Sequence, residues 1–484
     1  METHVANGQV PVFERMHTLD AEFLHLEDSR SPMHIGGLCV FGGRAPSREE
    51  VMQLVAGRLG TVPRYHRRVR FLPFELGRPV WVDDARFELS YHVSVSSLDA
   101  PHDDASLCEL MGRLMSTPLQ RTRPLWRLWI VPHVDGERWA LVAKIHHSMV
   151  DGISGIDLLA ALFDKDPEAP RPVPVPWSPA PEPTVSALVR DAFGGLAQDA
   201  RGWAARLSRA VMQPGVGVRD TLAVVVGLSH YVRRLVVTRS SSIQGEIGGR
   251  RRYAHAQVSM AELQRIRRAF GCTINDVVLA AVSGGYRALL EANGDRLDDA
   301  LMRSLVPASV RQADARGVFD NRVSAIFCDL PVHLADPVER LHFIKGQMER
   351  MKNSHMVEAG LWFTQIGDLA PPMLVGGVSR LIARTMHRLP QASLATVTTN
   401  VPGPRDPLYF LGHRLLTWLP YVPITQGIRV GTAMLSYAGQ LVFGVTADHE
   451  SVPDLTVFTR AVDAGIAELL TRANTATSET PPSA

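Results

Sequence analysis

The chain is poor in lysine, in cysteine and in long apolar runs, and each shortage excludes something. Lysine stands only at positions 144, 165, 345 and 352, so nearly all basic residues are arginine. That is a sign of coding bias before it is one of phosphate recognition. The four cysteines, Cys39, Cys108, Cys272 and Cys328, lie far apart among apolar neighbours, with no C-x-x-C pair and no zinc-ligand spacing. They read as buried free thiols in a reducing compartment, and no metal site is expected from them. No run of eighteen apolar residues occurs, so no membrane-crossing helix is expected. The opening METHVANGQVPVF lacks the basic-then-apolar order of a secretory leader, which predicts a cytoplasmic protein whose membrane contact is peripheral. A formal net charge of +2 is too small for whole-surface nucleic-acid binding, so no nucleic-acid partner is expected.

What is present is a globular mixture, 45% hydrophobic and 21% charged over 484 residues, long enough for two cores. Residues 1–165 alternate strand-like and helix-like segments. Arg86 to Leu98 reads as a strand with Phe87, Leu89, Tyr91, Val93 and Val95 on one face. Asp104 to Met115 reads as an amphipathic helix. Residues 166–184 are crowded with proline and predict a stiff, extended spacer, followed by a helical connector to about 240. Across 186–252 eleven arginines face four acidic residues. Its apolar-and-basic segments fit either a helix lying on an anionic membrane or an ordinary solvated helix face. A second α/β unit is expected over 241–473. It holds a helix from about Asn275 to Ala292, begun at capping-box spacing by Thr273 and Asp276. Strands are expected at 301–307, 322–330, 393–401 and 428–447, and residues 474–484 read as a disordered tail.

The most informative passage is PLWRLWIVPHV-DG-ERWALVAKIHH, residues 124–147. Asp135-Gly136 between two apolar runs predicts a hairpin with a two-residue turn. Val134 then pairs with Glu137, and the far end places Pro124, Leu125 and Trp126 opposite His147, His146 and Ile145. Pro132 is the position at which a bulge would shift this register. Adjacent strand residues face opposite ways, so only one of His146 and His147 can lead in a given site. A tight turn with Asp151 and Gly152 follows, then an apolar helix.

An imidazole at a strand end suits proton transfer near neutrality, as when an alcohol attacks a thioester. No G-x-S-x-G elbow presents a nucleophile. Asp151 fits either an orienting partner of the base or a brace for the turn, and Gly152 a backbone requirement. A metal site from His146, His147 and Asp151 is a poor fit, because the two rings face apart.

His146-His147-Ser-Met-Val-Asp151-Gly152 matches the HHxxxDG signature of the coenzyme-A-dependent acyltransferases. The chain further resembles the bacterial wax ester synthase/diacylglycerol acyltransferase family in an ordered set of motifs. These are Pro32-Met-His-Ile-Gly-Gly37, Pro124-Leu125-Trp126, Gly249-Arg250-Arg251-Arg252, Asn275-Asp276-Val-Val-Leu-Ala280, Val306-Pro-Ala-Ser-Val-Arg311 and Asn400-Val-Pro-Gly-Pro404. Leu119-Gln120-Arg121 stands where the family often has Leu-Asp-Arg, which bears on acceptor preference.

The resemblance implies an α/β fold of two chloramphenicol-acetyltransferase-like domains, with mixed sheets flanked by helices and the active site at their interface. It implies that His147 is the general base, and that acyl-coenzyme A is a co-substrate with no permanently bound cofactor. Diacylglycerol or a fatty alcohol would be the acceptor, met at the inner face of the plasma membrane or at lipid inclusions. Asn275 and Asp276 match the family's ND motif. Asn275 at a helix N-terminus is a candidate for oxyanion stabilisation, while Asp276 reads equally as a helix cap. Arg250, Arg251 and Arg252 are candidates for the coenzyme A phosphates, beside the plainer reading of a solvated basic loop. Two other functions compete: transfer to a carrier-bound polyketide or peptide acceptor, and a lipid-binding scaffold without turnover.

Overall fold

The computed structural model describes residues 13–60, 62–73, 76–150, 159–195, 241–309, 323–353 and 394–478. The basic connector from 196 to 240 therefore lies outside the described residues, as do Asp151, Gly152 and Arg311. In chain order the strands used here begin with β1 (His34–Gly42), β2 (Val93–Val95), β3 (Trp126–Val134) and β4 (Arg138–His146). The second half adds β5 (Arg251–Ser259), β6 (Met302–Ser309), β7 (Val323–Leu330) and β8 (Thr396–Pro402). It ends with β9 (Tyr409–Phe410), β10 (His413–Tyr421), β11 (Val430–Tyr437) and β12 (Gln440–Asp448). The helices are α1 (Thr18–Leu26), α2 (Arg48–Leu59), α3 (Leu89–His92), α4 (Asp104–Ser116), α5 (Met260–Phe270), α6 (Ile274–Ala292), α7 (Pro337–Asn353) and α8 (Thr456–Ser478).

Two six-stranded mixed sheets organise the described chain, in the orders β9-β10-β1-β4-β3-β2 and β7-β6-β8-β11-β12-β5. The first is not made by the first half alone. β10 enters it antiparallel to β1, with Trp418 opposite Cys39 and Tyr421 opposite Gly36. Alternation divides β4 as the sequence requires: Leu141, Ala143 and Ile145 join one core, and Ala140 and Val142 face another with α4. The second sheet packs on α6, whose Val277 to Val282 are all buried.

The halves meet where α4 lies on β5 and where β10 crosses β12. Tyr253 donates its hydroxyl to the Pro420 carbonyl at 2.8 Å. Gly112 allows the α4 backbone to approach β5 closely, since a Cβ there would stand 2.5 Å from the Arg251 carbonyl oxygen. The Arg251 amide completes the contact by donating to Ser116 Oγ at 2.9 Å.

Several local expectations change in the fold. The stretch from Arg86 to Leu98 is not one strand; Leu89–His92 makes a helical turn and only Val93–Val95 is extended. Arg48 holds that shape by donating to the Ser90 and Val93 carbonyls, and Phe87 stacks on His92 at 5.2 Å between ring centres. Tertiary contacts thus override a period-two pattern. The proline-rich segment is extended but fastened to the first half. Trp177 stacks on His66 at 4.3 Å, Glu182 pairs with Arg68 at 2.8 Å, and the Ala180 amide donates to Asp83 at 3.0 Å. At the C-terminus α8 continues to Ser478, past the expected start of the tail at 474.

Replacing Gly112 with Leu should lower the denaturation midpoint, because the facing atoms are backbone and cannot yield. We expect a loss of about 3 kcal/mol, the upper end for over-packing, read as a shift in a urea unfolding curve followed by tryptophan fluorescence. An unchanged midpoint would mean that α4 and β5 are not in contact.

Candidate active site

The β3–β4 ribbon aims its histidines as the turn residues dictate. Asp135 and Gly136 take φ of +48° and +83°, the left-handed pair that an Asp-Gly turn accommodates. Close to the turn Val134 faces Arg138 instead of Glu137, and an irregularity between Val131 and Val134, around Pro132, restores the expected register. Trp126 accordingly lies opposite Ile145. The His146 amide donates to the Leu125 carbonyl, and the His147 amide to the Met33 carbonyl, both at 2.9 Å. Pro124, Leu125 and Trp126 are buried, and Trp126 Nε1 donates to the Tyr65 carbonyl at 2.8 Å. The PLW segment is therefore packing that holds the strand end in place.

His147 opens a short 3₁₀ turn through Met149 and is half-buried. Phe23 of α1 stacks on its ring, 3.8 Å between centres at 20°. Its Nδ1 is buried with no hydrogen-bond partner among the described residues. Burial pushes the imidazole down to about 4, with the nearby His146 adding to the effect, so the ring is neutral near pH 7.

His146 points the other way and is fully buried. Its Nδ1 accepts the Ser148 amide at 3.1 Å and lies 2.7 Å from Ser148 Oγ. Because Nδ1 accepts, the ring proton belongs on Nε2, which stands 3.4 Å from Glu27 Oε1. His34, opposite His146 in the β1–β4 ladder, brings its own Nε2 to 3.4 Å from the same oxygen.

Glu27 stands at the centre of this cluster, although no sequence motif singled it out. Its side chain is 5% exposed. Oε1 also accepts the Met33 amide at 3.2 Å, and Oε2 accepts from Arg121 Nε at 3.2 Å and Nη2 at 2.9 Å. Burial alone would raise the Glu27 carboxyl, but the close approach of the His146 and His34 imidazoles to Oε1 outweighs it and holds it well below the usual carboxylate range. Burial in turn lowers His34 to about 3, against the opposing pull of the Glu27 carboxylate, and its Nε2 accepts the Leu119 amide at 3.3 Å. The site thus holds one paired carboxylate, one arginine and neutral His34 and His147 rings. One signal was present in the sequence: a glutamate closing an apolar helix, four residues after Phe23 and just before the Pro32–Gly37 motif.

The remaining sequence-selected residues fall in different roles. Asp276 is buried as the partner of the Thr273 cap, accepting the Thr273 amide at 2.8 Å while its own amide donates to Thr273 Oγ1 at 3.2 Å. Asn275, in the first turn of α6, accepts from Asn400 Nδ2 at 3.4 Å, joining two distant motifs. In that orientation its own Nδ2 is the group able to donate. Arg251 is not placed to meet phosphate. It is buried, pairs with Asp448 at 3.9 Å, and donates to the carbonyls of Gly248 (2.9 Å), Arg250 (3.0 Å) and Arg30. Arg250 is exposed and Arg252 half-buried, and each stands 3.3 Å from His449 Nε2. Among the described residues no cluster is arranged to hold a metal ion.

Residues 16–278 match the wax ester synthase/diacylglycerol acyltransferase catalytic domain, and residues 319–470 the C-terminal domain of the same family. A probable diacylglycerol O-acyltransferase of Mycobacterium tuberculosis, tgs1, is 36% identical over 456 residues, covering 94% of this chain and 95% of that protein. Among solved structures, the wax ester synthase/diacylglycerol acyltransferase of Marinobacter aquaeolei VT8 superposes with a TM-score of 0.66. It is 22% identical over 95% of this chain and 100% of that one. The TRI3 trichothecene 15-O-acetyltransferase of Fusarium sporotrichioides gives a TM-score of 0.55 at 11% identity, over 95% and 97% of the two chains. At those identities the two structures speak for the shared two-domain acyltransferase fold. On the sequence matches, the chain belongs to the wax ester synthase/diacylglycerol acyltransferase family.

Proposed function

We propose that the protein transfers a fatty acyl group from acyl-coenzyme A to the hydroxyl of diacylglycerol or of a long-chain alcohol, with His147 as general base. The observation that carries this reading is a neutral, half-buried imidazole at a rigid strand end, stacked on Phe23. As the acceptor oxygen attacks the thioester carbonyl carbon, an imidazole nitrogen takes the hydroxyl proton. The carbon–sulfur bond then breaks, and the imidazolium returns that proton to the departing thiolate, leaving ester and free coenzyme A. Asn275 is our candidate donor to the oxyanion between those steps, supported by its place at the α6 N-terminus. This chemistry calls for no permanently bound cofactor. Arg250 and Arg252 remain candidates for the coenzyme A phosphates.

Because both acceptors live in a lipid phase, we place the enzyme at a lipid surface, the inner face of the plasma membrane or lipid inclusions. Among the described residues no helix is long and apolar enough to cross a membrane. Transfer to a carrier-bound acceptor is less favoured, since the similar tgs1 protein covers nearly the whole chain and is named for diacylglycerol.

With palmitoyl-coenzyme A and a panel of free lipid alcohols, His147→Ala should lower kcat by about 10²–10⁴. A rate equal to wild type would remove His147 as the base. Asn275→Ala should lower kcat by about 10²-fold, and full activity would free it of the oxyanion role. The base works unprotonated, so kcat/KM should stay within about twofold from pH 7 to 5 and fall only as pH nears 4. An acidic limb centred near 6.5 would place the ring in water.

A further inference from the structure

Phe23 and Glu27 stand four residues apart at the end of α1, and so on one side of it. The Glu27 amide closes the last turn on the Phe23 carbonyl at 3.2 Å. From that side two contacts reach the histidine pair: the Phe23 ring lies flat on His147, and the Glu27 carboxylate faces His146. A third route runs through Met33. Its amide donates to Glu27 Oε1 at 3.2 Å, and its carbonyl accepts the His147 amide at 2.9 Å. The carboxylate is itself fixed by Arg121, which grips Oε2 through two nitrogens and also donates to the Leu24 carbonyl of α1 at 2.8 Å.

We infer that Glu27, held by Arg121 and acting with Phe23, is a positioning residue that sets the backbone and ring plane of His147 without touching its nitrogens. The inference rests on the reading of His147 as the base. A general base must be held near its productive geometry, and a misplacement of about 1 Å costs on the order of 10²-fold in rate. His147 Nδ1 has no partner among the described residues to supply that constraint. The neighbours described above supply it instead: Met33 leads back to the Glu27 carboxylate, and Phe23 to the Glu27 backbone amide. A salt bridge that merely pins α1 would need Arg121 and Glu27, but it would not need the second oxygen shared by His34, His146 and Met33.

A double-mutant cycle on the full chain tests this, with palmitoyl-coenzyme A and diacylglycerol as substrates. Glu27→Gln keeps the shape and removes the charge; we expect kcat to fall about 10²-fold with KM for palmitoyl-coenzyme A within about threefold of wild type. In a His147→Ala background the same change should cost less than about threefold, because the group it positions is gone. Full multiplicative loss in that background, or loss of thermal midpoint with kcat intact, would overturn the inference. Phe23→Leu keeps the helix and the carboxylate, and covers the case in which Glu27→Gln does not fold. It should lower kcat about tenfold with the thermal midpoint unchanged, and wild-type kcat would count against the clamp. Wild-type activity of His147→Ala by itself would instead defeat the underlying reading of the base, so the two failures are told apart.

Discussion

The antiparallel ladder between β1 and β4, with His34 opposite His146, decides where everything around the site can go. Strand residues alternate, so seating His146 inward on that ladder turns His147 to the other side and leaves it partly open. The same pairing gathers two imidazoles on one spot, where a single carboxylate can face both. Arg121 and the Met33 amide fill the rest of that carboxylate's capacity. A buried charge left without such partners would be strongly destabilising, and here nearly every acceptor direction is occupied.

The electrostatics of the site follow from who is paired. Glu27 is held in a buried place by Arg121 and the Met33 amide, which donate to its two oxygens, while His34 and His147 are kept neutral by burial. A neutral base is what an attacking alcohol requires. The Glu27–Arg121 pair faces His146 while the His147 ring stacks on Phe23, and burial with the nearby His146, not that ion pair, lowers the His147 imidazole.

The two halves of the chain are bound into one object by backbone-level contacts. β10 of the second half is a strand of the first sheet, and Phe410, Trp418 and Leu435 belong to the first core. α4 rides on β5 through Gly112, and the buried Arg251–Asp448 pair sits at the same seam, with Arg251 also capping the Arg30 carbonyl. An arginine triplet that looks like a phosphate site in one dimension therefore divides in two. One member is spent inside the seam and two are left beside His449.

Much of the site was legible in the chain because its cause is local. The Asp-Gly turn, the period-two alternation and the Thr273 capping box are short-range chemistry, and each produced the expected ribbon, face assignment or helix start. Arg86 to Leu98 misled for the complementary reason: its alternation is overruled by Arg48 and by rings that approach from elsewhere. Glu27 could not be assigned a role from sequence at all. Its partners come from positions 33, 34, 121 and 146, and only the register of β1 on β4 and the return of Arg121 to the end of α1 make them neighbours. Motif order thus determined the family and the ribbon that carries His146 and His147, while the carboxylate beside that pair was decided by the tertiary structure, because long-range pairing alone sets which distant side chains share one buried oxygen.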